Sequence, residues 1–424
     1  MSKIQLSKKI IDESWDFKYA KTKYATHGFH SYPAMMIPQI ARRLIRTYGK
    51  NAKVVLDPFM GSGTTLVECK LHHWIEKGYG IDINPLAILL TKVKTTPIDP
   101  ELLWKNYNIL TKKIHEDFED YKKGRLKLEK PNFFNIDFWF KPQVIDLLTI
   151  IKTRISEIEN KDIRDFFLVA FSETVRNVSN TRKSEFKLYR IPEDKLKDYN
   201  PDVIGEFEKK AKQNIGKMRT FVRSQNSKCE VVILENADTR HKIDVSEEVD
   251  LVVTSPPYGD SRTTVAYGQF SRLSLQWLGF DKKTVFSIDY KSLGGFKPRY
   301  LSHNLPSETF SKVLEQVREK DYNRAKDVLS FFLDLDKCVI QIDKVMKKGG
   351  YVCFVVGNRT VRGVHIPLDD ITAELFIERG YTHIKTIIRN IPNKKMPRNN
   401  SPNNIKGQTS RTINKEGIVI LRKD

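Results

Sequence analysis

"VVLDPFMGSGTT", Val54 to Thr65, begins as a short apolar run, ends that run on an acid, and then turns through Gly-Ser-Gly into the helical pattern "TTLVECKLHHWI". Strand, tight turn and helix in that order put Asp57, Pro58 and Phe59 at the carboxyl end of a strand, where open α/β sheets bind their ligands. Gly61 and Gly63 allow a ligand close to the backbone, and free amides at the helix start suit an anionic group. A phosphate-cradling Walker loop needs Lys after its last Gly, and Thr64 stands there instead. The next apolar run, "GYGIDINP", supplies Asp82 about twenty residues beyond the turn, the spacing at which an acid holds ribose hydroxyls. A capping Asp and a plain turn glycine would each look the same alone; the ordered pair points to a ribose-containing cofactor.

Outward from this unit, similar runs recur at 53–57, 78–82, 230–234, 250–254, 350–356, 383–389 and 417–421. Helical patterns such as "IPLDDITAELFIERG" lie between most of them, so the expected fold is α/β, a Rossmann-like seven-stranded sheet, largely parallel. The last two runs lack a helix between them and predict a hairpin with an antiparallel final strand. Their connection, Asn393 to Asn414, contains no acidic residue. The interval 99–228 is too long for a crossover and reads as a mostly helical insertion, with "KPQVIDLLTIIKTRISEI" and "IRDFFLVAFSETVRNV" as amphipathic patches. The expected division is therefore 1–98, an arm and the first part of the sheet domain; 99–228, the insertion; and 229–424, the remainder.

The chain has 424 residues, 40% of them hydrophobic, enough for a large core in two or three structural units. Lys and Arg number 73 against 52 Asp and Glu, a net charge of +21, which favours a polyanion such as nucleic acid as partner. No apolar run approaches the twenty residues that span a bilayer, and "MSKIQLSKKIIDESWDF" lacks a signal-peptide core, so no membrane and a cytoplasmic address are expected. The four cysteines stand singly, as reduced thiols; no metal site is expected, and no Pro-Cys nucleophile occurs.

The run "DLVVT" ends in "SPPYGD". Neither Pro256 nor Pro257 carries an amide hydrogen, so the turn after Ser255 offers carbonyl and hydroxyl acceptors without competing donors. It is built to receive hydrogens. Tyr258 adds an aromatic face.

"DPFMGSGTT", "GIDINP", "NADTR" and "TSPPY", in that order, resemble the S-adenosylmethionine-dependent DNA amino-methyltransferases, which methylate cytosine-N4 or adenine-N6. "HGFHSYPAMMIPQIARRLI", residues 27 to 45, resembles the family's methionine-binding segment. The resemblance covers the sheet and the arm, not the insertion. It implies S-adenosyl-L-methionine as cofactor, its methionine part near His30, Pro33, Asp57, Gly61 and Gly63, its ribose on Asp82 and its adenine amine on Asp238, with Pro58, Phe59 and Thr64 also in the cofactor site. It implies double-stranded DNA as substrate, base flipping, and direct transfer to an exocyclic amine held by Ser255, Pro256, Pro257 and Tyr258. Ser at the first motif position is closer to the cytosine-N4 group, with adenine-N6 as the alternative. An RNA base methyltransferase and a noncatalytic DNA-binding protein on the same fold are the remaining alternatives. A cognate restriction endonuclease is the candidate protein partner, and the oligomeric state is left open. For DNA contact, composition offers Arg176, Arg182, Lys183 and Arg190, then Arg262 and Arg272 past the catalytic turn, and Lys394, Lys395 and Arg398, with Lys406 and Arg411, in the acid-free loop.

Overall fold

In the computed structural model residues 6–183, 185–260, 263–392, 399–400, 410–411 and 413–424 are described. The seven apolar runs all form strands, and an eighth joins them. The sheet contains β1 (Lys9–Ile11), β2 (Val54–Asp57), β3 (Lys77–Gly80), β4 (Glu230–Ile233), β5 (Val249–Thr254) and β6 (Met346–Val356). A small separate hairpin, β7 (Arg359–Val361) and β8 (Val364–Ile366), precedes β9 (Tyr381–Asn390). A two-residue ladder, β10 (Asn399–Asn400) and β11 (Ser410–Arg411), precedes β12 (Lys415–Lys423). The order across the sheet is β1-β9-β12-β6-β5-β2-β3-β4. All neighbours run parallel except β12, which is antiparallel to both β9 and β6, as the missing helix between the last two runs requires.

Alternation along each strand gives the sheet two buried faces. Val54, Leu56, Val252 and Phe354 point to one, Val55, Leu251, Val253 and Cys353 to the other. Ile40, Leu44 and Ile45 of α1 (Pro38–Tyr48) cover the second face, with Cys69 of α2 (Thr64–Lys70). Beyond α2 lies α3 (Pro85–Thr95). The interval 99–228 is helical, as α4 (Pro100–Lys122), α5 (Ile136–Trp139), α6 (Pro142–Ser156), α7 (Lys161–Val178), α8 (Glu193–Leu196) and α9 (Val203–Ser224). Between β5 and β6 come α10 (Tyr267–Trp277), α11 (Lys282–Lys291), α12 (Glu308–Lys320) and α13 (Tyr322–Val345); α13 and α14 (Leu368–Ile377) cover the first face.

The interval 99–228 does not keep a core to itself. Phe166, Phe171, Phe207 and Phe221 share one cluster with Leu86 and Leu90 of α3, Phe270 and Leu273 of α10, and Phe29 and Tyr32 of the N-terminal arm. The arm is also tied by polar contacts: Asn214 donates to the Phe29 carbonyl (3.2 Å), Lys217 to the Gly28 carbonyl (2.6 Å), and the Ser31 amide to Glu173 Oε1 (3.2 Å). Thus α7 and α9 hold the segment that leads to the site.

Candidate active site

The chain runs β2, β3, β4 in one direction and then returns to place β5 on the other side of β2, so the strand order reverses between β2 and β5. Ligands of open sheets bind outside the carboxyl ends of the strands at such a point. Here it holds a cleft enclosing about 890 Å³, including its open mouth. From β4 to β5 the strand ends present Asp238, Asp82, Asp57 and Ser255 in spatial order, and all four line the cleft. Pro58, Phe59, Gly61, Thr64 and Pro257 line it too, as do Tyr32 to Met36 of the arm, Pro33 among them.

The acids are held by their neighbours. Thr254 donates across the reversal to Asp57 Oδ1 (2.6 Å), which also accepts the Phe59 amide (3.2 Å). Burial pushes the Asp57 carboxyl up to about 6 against these bonds. Asp82 accepts the amides of Gly61 (3.0 Å) and Asn84 (2.8 Å), and burial raises it also to about 6. Burial alone would raise Asp238, but Arg240, with Nε 3.0 Å from Oδ1 and Nη2 2.5 Å from Oδ2, brings it below the usual carboxylate range. Arg240 is anchored in turn by Asp334 (3.0 Å).

Gly63 lies at φ +81°, and a Cβ there would stand 2.8 Å from Thr91, so the turn requires glycine for conformation and for packing of α2 on α3. It shapes the turn without lining the cleft. His30 does not line the cleft either. It is buried behind it, its Nδ1 2.5 Å from the Ser31 carbonyl, and burial lowers it to about 4, which keeps it neutral.

Pro256 and Tyr258 are not among the lining residues. Tyr258 sits behind Ser255, its ring against Gly357, where a Cβ would meet the ring at 2.5 Å. Its hydroxyl donates to Glu416 Oε1 (2.9 Å) and lies 3.1 Å from Ser255 Oγ. Glu416 is paired with Arg389, which is itself buried. Sequence reading missed Glu416 and Arg389, which only the pairing of β12 with β9 brings to the turn. It also missed Lys94, which is buried in α3 and donates to the Ser62 carbonyl of the glycine turn (2.7 Å), a position marked only by a lysine on an apolar helix.

The cations offered for DNA contact are dispersed. Arg176 spends its guanidinium on the carbonyls of Phe270 (3.1 Å) and Glu185, stacked 4.0 Å from the Phe270 ring. Arg190 donates to the Phe138 carbonyl (3.0 Å) and pairs with Glu193. Arg182 lies over Tyr189 and Lys183 over Tyr199. Arg272 stacks 4.4 Å from the Phe286 ring. Arg262, Lys394, Lys395, Arg398 and Lys406 fall outside the described residues, and the side chain of Arg411 does too.

The cleft's residues fit S-adenosylmethionine: acceptor carboxylates at successive strand ends, Asp57 buried and Asp82 half-buried, apolar walls at Phe59 and Ile83 and a third carboxylate at Asp238. Among the described residues no helix is long and apolar enough to cross a membrane. A DNA methylase family, that of the N6/N4 enzymes, matches residues 2–92. Type II methyltransferase M.MvaI of Kocuria varians is 44% identical, over 99% of this chain and 96% of its own. M.BsoBI, a type II methyltransferase of Geobacillus stearothermophilus, is 23% identical over 100% of this chain and 91% of its own. Among solved structures the rRNA methyltransferase aviRa of Streptomyces viridochromogenes aligns with 93% of this chain and 88% of its own, at 9% identity and a TM-score of 0.31, too slight a likeness to bear on function.

Proposed function

The chain belongs to the N4/N6 family of DNA amino-methyltransferases, and from that premise we propose that it methylates the exocyclic N4 amine of cytosine at a defined site in double-stranded DNA. When bound, S-adenosyl-L-methionine supplies an electrophilic methyl group. Asp82 would hold its ribose, Asp238 the edge of its adenine, and the arm around Pro33 with the Gly61 turn its methionine part.

The observation that carries transfer to an exocyclic amine is the hydroxyl chain behind the turn, and the choice of cytosine-N4 follows from Ser255 at the first motif position. Tyr258 gives its O–H to Glu416, so its oxygen is left to accept from Ser255. That draws the Ser255 proton away from the cleft and leaves its lone pairs facing inward. An exocyclic amine is a poor nucleophile because its lone pair is delocalised into the ring. An acceptor at Ser255 Oγ, aimed at one of its hydrogens, localises that pair, and the same oxygen stabilises the positive charge that grows on the nitrogen. No covalent intermediate on the enzyme is needed. Flipping brings the base to the turn, where Tyr258, packed behind Ser255 and outside the cleft lining, acts through Ser255 and not as a stacking face. A restriction endonuclease of the same specificity would be the natural partner.

Nuclease digestion of DNA reacted with the enzyme and cofactor, followed by mass spectrometry, tests the proposal. N4-methylcytosine is expected. N6-methyladenine would overturn the choice of base and keep the mechanism, whereas no modified base with cofactor and DNA both bound would favour a noncatalytic DNA-binding protein.

A further inference from the structure

Helix α11 has two faces with different chemistry. Val285 and Ile288 are buried, and Ile288 lines the catalytic cleft. The opposite side carries Lys282, Phe286 and Tyr290 at four-residue spacing, a stripe ~12 Å long at the helical rise. Phe286 is 36% exposed and Tyr290 59%, and the chain beyond adds Phe296 at 67% and Tyr300 at 62%. Phe134, 53% exposed, joins from the segment before α5 with its ring 6.1 Å from Phe286. The core has no use for these rings, and an exposed cluster of this kind marks an interaction surface.

Cations are interleaved with the rings. Arg272 stacks 4.4 Å from the Phe286 centroid, Lys282 lies 4.8 Å from that of Phe134, and Arg299 lies 5.4 Å from that of Tyr300. The stretch 280–300 holds Lys282, Lys283, Lys291, Lys297 and Arg299 against Asp281 and Asp289. Both acids serve backbone amides, Asp281 that of Thr284 (3.0 Å) and Asp289 that of Gly268 (2.9 Å). Among the described residues Lys282, Lys283 and Arg299 form no ion pair with an acid, so their charge faces outward. Positive charge mixed with flat exposed rings suits a polyanion whose monomers carry π-faces, and the net charge of +21 favours that partner over an uncharged protein surface.

We propose that this face, with the α11 stripe at its centre, is the surface on which duplex DNA lies beside the cleft. Lys282 and Lys283 take phosphates, and Phe286 and Tyr290 press against the base pairs next to the extruded base. The proposal rests on the DNA-methylation reading and adds the place where the duplex is gripped. Its geometry follows from one helix serving both sides: the residues inside α11 reach the cleft while those outside meet the strand from which the base has left. An apolar wedge at that position offsets the loss of stacking on extrusion.

The test uses the full-length chain and a duplex that the parent enzyme methylates. Phe286→Ala with Tyr290→Ala should lower kcat/KM on that duplex at least tenfold. It should recover to within about threefold of the parent when the target base faces an abasic site, because no pair then has to be broken. Lys282→Ala with Lys283→Ala should reduce the slope of log affinity against log salt by about two, one per phosphate. Tyr19→Ala, at an 89% exposed ring elsewhere, should change nothing. Unaltered calorimetric affinity for S-adenosylmethionine confirms that each variant is folded. An active parent with variants equal to it overturns the surface, as would variants that change only self-association. A parent that neither binds nor methylates DNA overturns the methylation reading and this inference with it.

Discussion

At Tyr258 one hydroxyl joins the Ser255 turn to the last strand, and the consequence can be measured separately from binding. Tyr258→Phe keeps the ring and removes the acceptor for the Ser255 proton; Glu416→Gln keeps the size and lets an amide hydrogen point at Tyr258 instead. Each should lower turnover about 10- to 100-fold while leaving the cofactor Kd within twofold, since orientation of Ser255 matters mainly as charge develops. An equal loss in Kd would make the pair merely structural. The acids give a pH dependence. Asp57 and Asp82 are raised by burial from the ordinary 3.8 to about 6. Between these values the folded chain keeps protons that the unfolded chain has released, so the stability they contribute is full below about 4 and is lost as pH rises through 6. Under the proposed reading cofactor affinity runs the opposite way, because ribose hydroxyls would donate to an ionised Asp82. Calorimetric titration should show binding about tenfold tighter at pH 7 than at pH 5, and Asp82→Asn should flatten that difference. The aspartates and Ser255 were legible because each stands at the end of an apolar run. Glu416 was not: it lies 158 residues from Tyr258, and nothing local in "NKEGIVIL" distinguishes it from a surface acid. His30 shows the reverse, a residue that a motif selects and the fold buries behind the cleft.

At the scale of elements, the glycine turn before α2 is the piece with least freedom. Gly63→Ala must place a Cβ at φ +81° and 2.8 Å from Thr91. The left-handed backbone and the overpacking together should cost about 2–4 kcal/mol. Denaturant unfolding should show the midpoint shifted with the slope unchanged; a loss below 1 kcal/mol would mean that α3 yields easily. Strands β2, β5 and β6 could be read directly because buried strands of a parallel sheet are continuous apolar runs. β12 followed from the absence of a helix before it, but its insertion between β9 and β6 did not, since strand order is set by packing that a local pattern does not contain. β1 escaped because "KII" is three residues long and wholly exposed on the sheet edge beside β9. The DNA-contact candidates were the least legible, because a cation-rich run has the same composition whether its charge meets solvent, a ring or a carbonyl. Arg176, committed to two carbonyls, is the case in point.

For the molecule as a whole, the question is whether the helices of 99–228 form a module on the sheet or part of one body with it. Composition and length suggest a module. The contacts argue for one body: Phe166, Phe207 and Phe221 are fully buried in the same cluster as Leu86, Leu90, Phe29 and Tyr32, and Asn214, Lys217 and Glu173 secure the arm whose next residues line the cleft. Removing these helices would expose the apolar side of α3 and release the arm, so the cofactor site could not persist alone. Scanning calorimetry of the full chain should therefore give a single cooperative transition, with calorimetric and van't Hoff enthalpies in agreement. S-adenosylmethionine at a hundredfold excess over its Kd should move that whole transition by the equivalent of about 2.7 kcal/mol. Two transitions, only one of them responding to cofactor, would identify the helices as an independent domain. In the one-body case, substitutions at the α7 and α9 contacts with the arm should weaken cofactor binding from outside the cleft. Lys217→Met, which breaks the bond to the Gly28 carbonyl, is expected to raise the cofactor Kd several-fold with kcat at saturation little changed, and an unaffected Kd would show that the arm holds its place without α9.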